Sequence, residues 1–109
     1  MAKHEFGIMN VSPKPNERYD SYEPEKYNCI SVHDDCIEPL LDKLEQIECY
    51  WHTLERPGKG LAYYGITLIP PSSMESIIEL LEGDPGTDGL RNLLLKAKEE
   101  GKYVIHFGI

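Results

Sequence analysis

His33-Asp34-Asp35 places an imidazole directly beside two carboxylates. Those are the side chains that hold divalent metals, or that pass protons near neutral pH. A second histidine, His52, falls at the end of a later strand-like run, and topology brings that run's end to the same side of the molecule. His33, Asp35 and His52 are therefore the candidate catalytic residues, and His33, Asp34 and Asp35 the candidate metal ligands. The spacing is not that of H-E-x-x-H, and Asp34 or Asp35 would serve equally well as the cap of a following helix, with Glu38 completing a capping box. Aromatics supply a second kind of chemistry. Tyr50-Trp51-His52 and Tyr63-Tyr64 sit on two runs expected to pair, where aromatics either stabilise the sheet or anchor a partner. Trp51, Tyr63, Arg56 and His106 are the candidate binding residues. Cys29, Cys36 and Cys49 are odd in number and lack C-x-x-C spacing, so they read as reduced thiols with no disulfide or zinc role. Cys36 opens a helix but is flanked by Asp34, Asp35 and Glu38, which disfavour a thiolate.

The elements that must position these groups follow from hydrophobic period. Residues 1–26 read as an extended arm, docking through Tyr19, Tyr22 and Tyr27 and contributing at most one short strand at Phe6-Gly7-Ile8-Met9. Ser12-Pro13-Lys14-Pro15 breaks any regular element there. From residue 27 to 109 a single α+β domain is expected. Asn28–Val32 alternates as a half-buried strand, and Ile37, Leu40, Leu41, Leu44 and Ile47 recur at helical spacing. Cys49–Leu54 and Leu61–Ile69 are strand-like, joined by the hairpin loop Glu55–Gly60. Two helices follow, one with Ile77, Ile78 and Leu81 after the Ser72/Glu75 capping box, the other with Leu90, Leu93, Leu94 and Ala97. Tyr103–Phe107 is the last strand.

The order β-α-β-β-α-α-β resembles the ferredoxin-like split-βαβ fold, with a four-stranded antiparallel sheet, helices on one face and the N-terminal arm added. In that fold the first and third strands are central. Alternation then puts Ile30, Val32, Ala62, Tyr64, Ile66, Leu68, Ile105 and Phe107 under the helices. Cys29, Ser31, Tyr63, Gly65, Thr67, Val104 and His106 fall on the other face. That second face is too polar for a core and too apolar for water, so an arm, a second subunit or a ligand should cover it. The RNA-recognition motif shares this strand order and is similar at Lys59, Gly60 and Ala62. This chain departs from it at Leu61, Tyr64 and Ile66, and its first strand carries no aromatic to stack a base. Glu55-Arg56-Pro57-Gly58 resembles the D-R-P-G turn of ACT domains, but it joins two strands instead of following the first, so no ligand carries over.

The net charge of −8, from 19 acidic and 11 basic residues, argues against a phosphate-backbone partner and fits a basic one. No nucleophile elbow, phosphate-binding glycine loop or dinucleotide fingerprint is present, and no cofactor is expected. No apolar run is long enough to span a bilayer, and the first residues lack the pattern of a signal peptide, so a cytoplasmic protein is expected. The functional expectation is a non-enzymatic interaction or regulatory module, such as an acidic inhibitor or immunity-type protein, binding a protein partner or itself as a homodimer. The alternative is a small metal-dependent or acid–base enzyme built on His33, Asp34, Asp35 and His52.

Overall fold

The computed structural model describes residues 2–109 and shows an α+β fold with six strands. They are β1 (Lys3–Ile8), β2 (Ile30–His33), β3 (Glu48–Trp51), β4 (Pro57–Lys59), β5 (Ile66–Ile69) and β6 (Val104–Phe107). They form one sheet in the order β2-β1-β6-β5-β3-β4, with every neighbouring pair antiparallel. The expected four-stranded ferredoxin-like sheet is therefore wrong, although the α+β class stands. The N-terminal segment is the main cause. Lys3–Ile8 is a central strand, inserted between the first expected strand, now an edge, and the last, now central. His4, Phe6 and Ile8 alternate toward the helices as a central strand requires. Gly7 faces the other way, where a Cβ would lie only 2.7 Å from the Tyr27 carbonyl oxygen and 2.8 Å from Cys29 Sγ.

Two further departures are local. The run Leu61–Ile69 is strand only from Ile66, and part of the expected hairpin loop pairs as β4. The expected helix after β2 is broken into α1 (Asp34–Ile37), a 3₁₀ turn (Glu38–Leu40) and α2 (Leu41–Leu44). Pro39 lies inside that turn, where its missing N–H and its ring prevent a continuous helix. The cap of α1 is His33, whose Nδ1 accepts from the Asp35 N–H at 3.0 Å, in place of either aspartate. The later helices are α3 (Met74–Leu81) and α4 (Asp88–Glu100). Gly101, at φ 66, closes α4 in the left-handed conformation that an L side chain adopts only under strain.

Both faces of the sheet are covered. On one, Phe6, Val32, Ile69 and Val104 pack against Ile37, Leu44, Ile77, Leu81, Leu90 and Leu94. On the other, Met9, Ile66, Leu68, Ile105 and Phe107 are covered by Tyr19, Tyr27 and Leu54, and Tyr22 meets Phe107 edge-on at 5.4 Å. Residues of the chain's own arm thus occupy the face left over by the helices. The facing of β5 and β6 is the reverse of the one expected: Ile66, Leu68, Ile105 and Phe107 lie under the arm, while Thr67 and His106 look toward the helices.

Candidate functional site

Thr67 and His106 are cross-strand partners on β5 and β6, and His106 is opposite Phe6 on β1. His4 is the diagonal neighbour of His106 on the same face, within reach of a long side chain. Their rings stack at 5.1 Å, with His4 Nδ1 and His106 Nε2 2.9 Å apart. Asp34, at the start of α1, brings Oδ1 to 2.9 Å from His4 Nε2. The loop between β4 and β5 closes over this end of the sheet. Its Tyr63 hydroxyl donates to Asp34 at 2.7 Å, and the Ala62 N–H donates to Thr67 Oγ1 at 2.8 Å. The C-terminus holds the loop in turn, through Gly108 N–H to the Gly65 carbonyl and Ile109 N–H to the Tyr63 carbonyl.

With the His106 ring neutral, this chain of bonds can run in one consistent direction. Ala62 N–H donates to Thr67 Oγ1, and the Thr67 hydroxyl donates to His106 Nδ1 at 3.1 Å. His106 Nε2–H then donates to His4 Nδ1, and His4 Nε2–H to the Asp34 carboxylate. Every polar atom along the path is satisfied, as burial demands. His4, His106 and Thr67 are all 0% exposed. Burial, and then the neighbouring His4, hold the His106 ring well below the ordinary histidine pKa. Hydrogen bonds from Tyr63 and then His4 hold Asp34 below the usual carboxylate value. The bond to Asp34, ahead of desolvation, pushes the Tyr63 phenol up to about 12.

The residues singled out from sequence distribute over this end of the sheet. Asp34, Tyr63 and His106 meet in the network, with His4 and Thr67 as members that sequence reasoning missed. The signal for His4 was its period-2 spacing from Phe6 and Ile8. His33 and Asp35 stand outside it on the surface, His33 capping α1 with Asp35 Oδ2 3.5 Å away. His52 lies on β3's end, four strand spacings from β2, so roughly 19 Å separates the two histidine backbones. One small substrate cannot engage both. His52 instead ties down the arm: its Nδ1 meets Asp20 Oδ1 at 2.8 Å and its carbonyl accepts from Tyr19 N–H at 2.7 Å. Its Nε2 accepts from Ile66 N–H at 3.4 Å, so both ring nitrogens are engaged. Its φ of 65 turns the chain into that position. Trp51 lies flat on Gly58 and donates from Nε1 to the Gly60 carbonyl at 3.1 Å. It pairs with Thr67, and Tyr50 with Leu68, so Tyr63 and Tyr64 are not their cross-strand partners. Arg56 is exposed in the turn beside Trp51.

Among the described residues, no group of three or more His, Cys, Asp or Glu side chains is placed to hold a metal ion. Two grooves, of about 290 and 460 Å³, flank the Ile8–Asn10 exit of β1 at the opposite end of the sheet, and a third of about 440 Å³ is lined by Tyr22–Lys26. No helix of the described residues is long and apolar enough to cross a membrane. Comparison with protein-family models, with curated proteins and with solved structures found no match.

What this end of the sheet offers to another molecule is aromatic and acidic. Tyr64 is 81% exposed and meets Tyr63 edge-on at 4.9 Å, while Tyr63 is fixed by Asp34. Ile109, also exposed, is bonded to the same loop. Asp35 and Glu38 are exposed close by on the segment that starts at Asp34.

Proposed function

We propose that this protein is a non-enzymatic interaction module that binds a basic protein partner through the strand-end surface around Tyr64, in the manner of an acidic inhibitor. The observation that carries this reading is the rigid presentation of Tyr64. A solvent-exposed ring braced by a neighbour, itself hydrogen-bonded to Asp34, offers a large contact area with little conformational entropy left to lose. The net charge of −8 adds attraction for a basic partner and faster encounter with it. The buried imidazoles support the same reading, since His4 and His106 satisfy each other and meet no solvent.

The test is site-specific cross-linking. A photoreactive benzoyl-phenylalanine replaces Tyr64 in one version and Glu99, an exposed position on α4, in another, both expressed in the native cells. A discrete adduct to a basic protein from position 64 alone, lost at high salt, is expected. No adduct from position 64, or the same adducts from both positions, refutes the reading.

A further inference from the structure

We infer that the free edge of β2 is a docking strand for an extended basic segment of the partner, which would add as a seventh strand; this rests on the reading above. The Asp34 N–H donates to the Ala2 carbonyl at 3.1 Å. Hydrogen-bonded and non-bonded pairs alternate in an antiparallel ladder. With the observed register, Val32 and Ile30 therefore exchange bonds with His4 and Phe6, while Ser31 and His33 direct their N–H and C=O groups away from β1. Among the described residues nothing pairs with that outer row. The two ends of the sheet differ in this respect. The opposite edge, β4, begins with Pro57, which has no donor, and ends with Lys59, and both are devices that discourage strand addition. β2 carries neither.

The flanks of β2 define the chemistry of the added strand. On the helix side the start of α4 approaches it: a Cβ on Gly89 would be 3.6 Å from Ile30 Cδ1, and one on Gly86 would be 2.9 Å from Cys36 Sγ. Asp84 and Asp88 flank Gly86, Asp88 directly precedes Gly89, and Asp35 lies two residues past the end of β2. On the arm side lies Tyr22, 61% exposed and bonded to Glu5, the cross-strand neighbour of Ser31. A docked strand points alternate side chains to the two sides. It should therefore present lysine or arginine toward the carboxylates and apolar groups toward Tyr22. A second copy of this chain is the less favourable occupant, because it would bring like carboxylates together across the edge.

The probe is a heptapeptide alternating lysine and valine, with a glutamate–valine heptapeptide as control, added to the full chain. Amide hydrogen exchange is read by NMR, and the solution mass by light scattering. The lysine peptide should slow exchange at the Ser31 and His33 amides, and its affinity should fall about tenfold or more between low salt and physiological ionic strength. Ser31→Lys, a charge on the exposed edge, and separately Asp35→Lys should each weaken binding at least about fivefold with the fold intact by circular dichroism. Equal binding of the glutamate peptide, protection confined to other amides, or no binding at low salt would overturn the assignment. So would a peptide-free dimer that already protects Ser31 and His33. If the edge fails these tests while Tyr64 still cross-links a basic partner, only the docking mode is lost.

Discussion

Lowering the pH should destabilise this protein well before its carboxylates protonate, because the native state holds His106 neutral. Burial, followed by the neighbouring His4, depresses the folded pKa of His106 far below its unfolded value. His106 faces His4, the Thr67 hydroxyl and the Phe6 ring, and the Asp34 carboxylate lies beyond His4. The sign follows from linkage. Stability contributed by a depressed histidine is complete above the unfolded pKa, near 6.5, and is lost as the pH falls toward the folded pKa, because only the unfolded chain takes up the proton. The loss is about 1.4 kcal/mol for each pH unit below about 6.5 over which the native ring stays neutral. Against a typical domain stability of about 5–15 kcal/mol that is a readily measured fraction. The Asp34 carboxylate behaves oppositely: its pKa is lowered, so its contribution is present above its unfolded value near 3.8 and is lost only below it. The window from pH 6.5 to 4.5 is therefore free of the Asp34 contribution.

Urea unfolding followed by the fluorescence of Trp51, the single tryptophan, measures this in steps of half a pH unit. His106→Phe keeps an aromatic of similar size and should be less stable at pH 7.5 by about 1–3 kcal/mol, since Thr67 and His4 each lose a partner. Its stability should also fall less steeply with acid, by one proton's worth of slope. His106→Gln, which retains hydrogen-bonding groups, covers the case in which the phenylalanine variant does not fold. Native stability that is flat from pH 7.5 to 4.5 would refute the reasoning, as would a variant that keeps the full native slope.

Three further outcomes follow from the packing. His52→Ala removes the ring that holds Asp20, so proteolysis within residues 10–27 should accelerate severalfold while the far-ultraviolet circular dichroism is unchanged. Leu94→Ala, at a fully buried position between α4 and the sheet, should cost about 2–5 kcal/mol in urea unfolding. The buried Cys49 thiol, pushed up to about 12 by desolvation, should resist alkylation at pH 8 until the chain unfolds, with mass spectrometry of the labelled peptides as the readout.

The helices and most of the strands were legible because their apolar periods are strong: Ile77, Ile78 and Leu81 on α3, and Leu90, Leu94 and Ala97 on α4, are buried as that spacing requires. The sheet order was not legible. Lys3–Ile8 contains a glycine and leads into a run with two prolines, so it read as an arm, yet its alternate residues fit a central strand. The faces of β5 and β6 were misassigned for a different reason. All four residues of each strand are buried, so alternation carries no register signal once both faces are covered. Polarity then misled: Thr67 and His106 were placed on the more open face, when each is polar because it has a partner inside. The site was half visible. Asp34, Tyr63 and His106 stood out by residue type, but their convergence depended on β1 and hence on His4.

The network of His4, His106, Thr67, Asp34 and Tyr63 also accounts for why a sheet without register signal in two central strands has one register. A one-residue slip of β6 against β1 and β5 would turn His106 to the arm face, among Leu68, Ile66 and Met9, where no donor or acceptor awaits it. The slip would cost the burial of an unpaired imidazole and would orphan His4 and Thr67, about 1–3 kcal/mol for each group left without a partner. An apolar residue at 106 would carry no such penalty, because both faces of β6 are equally greasy. The polar atoms thus discriminate between registers that hydrophobic burial leaves nearly equal. That fixed register also sets the position of Asp34, and through the Asp34–Tyr63 bond the loop that holds Tyr64 against solvent. In His106→Phe, then, the loop should loosen even where the global fold survives, and the amides of residues 62–65 should exchange faster than in the native chain. Unchanged exchange there would mean that the loop is held by the C-terminal backbone bonds alone.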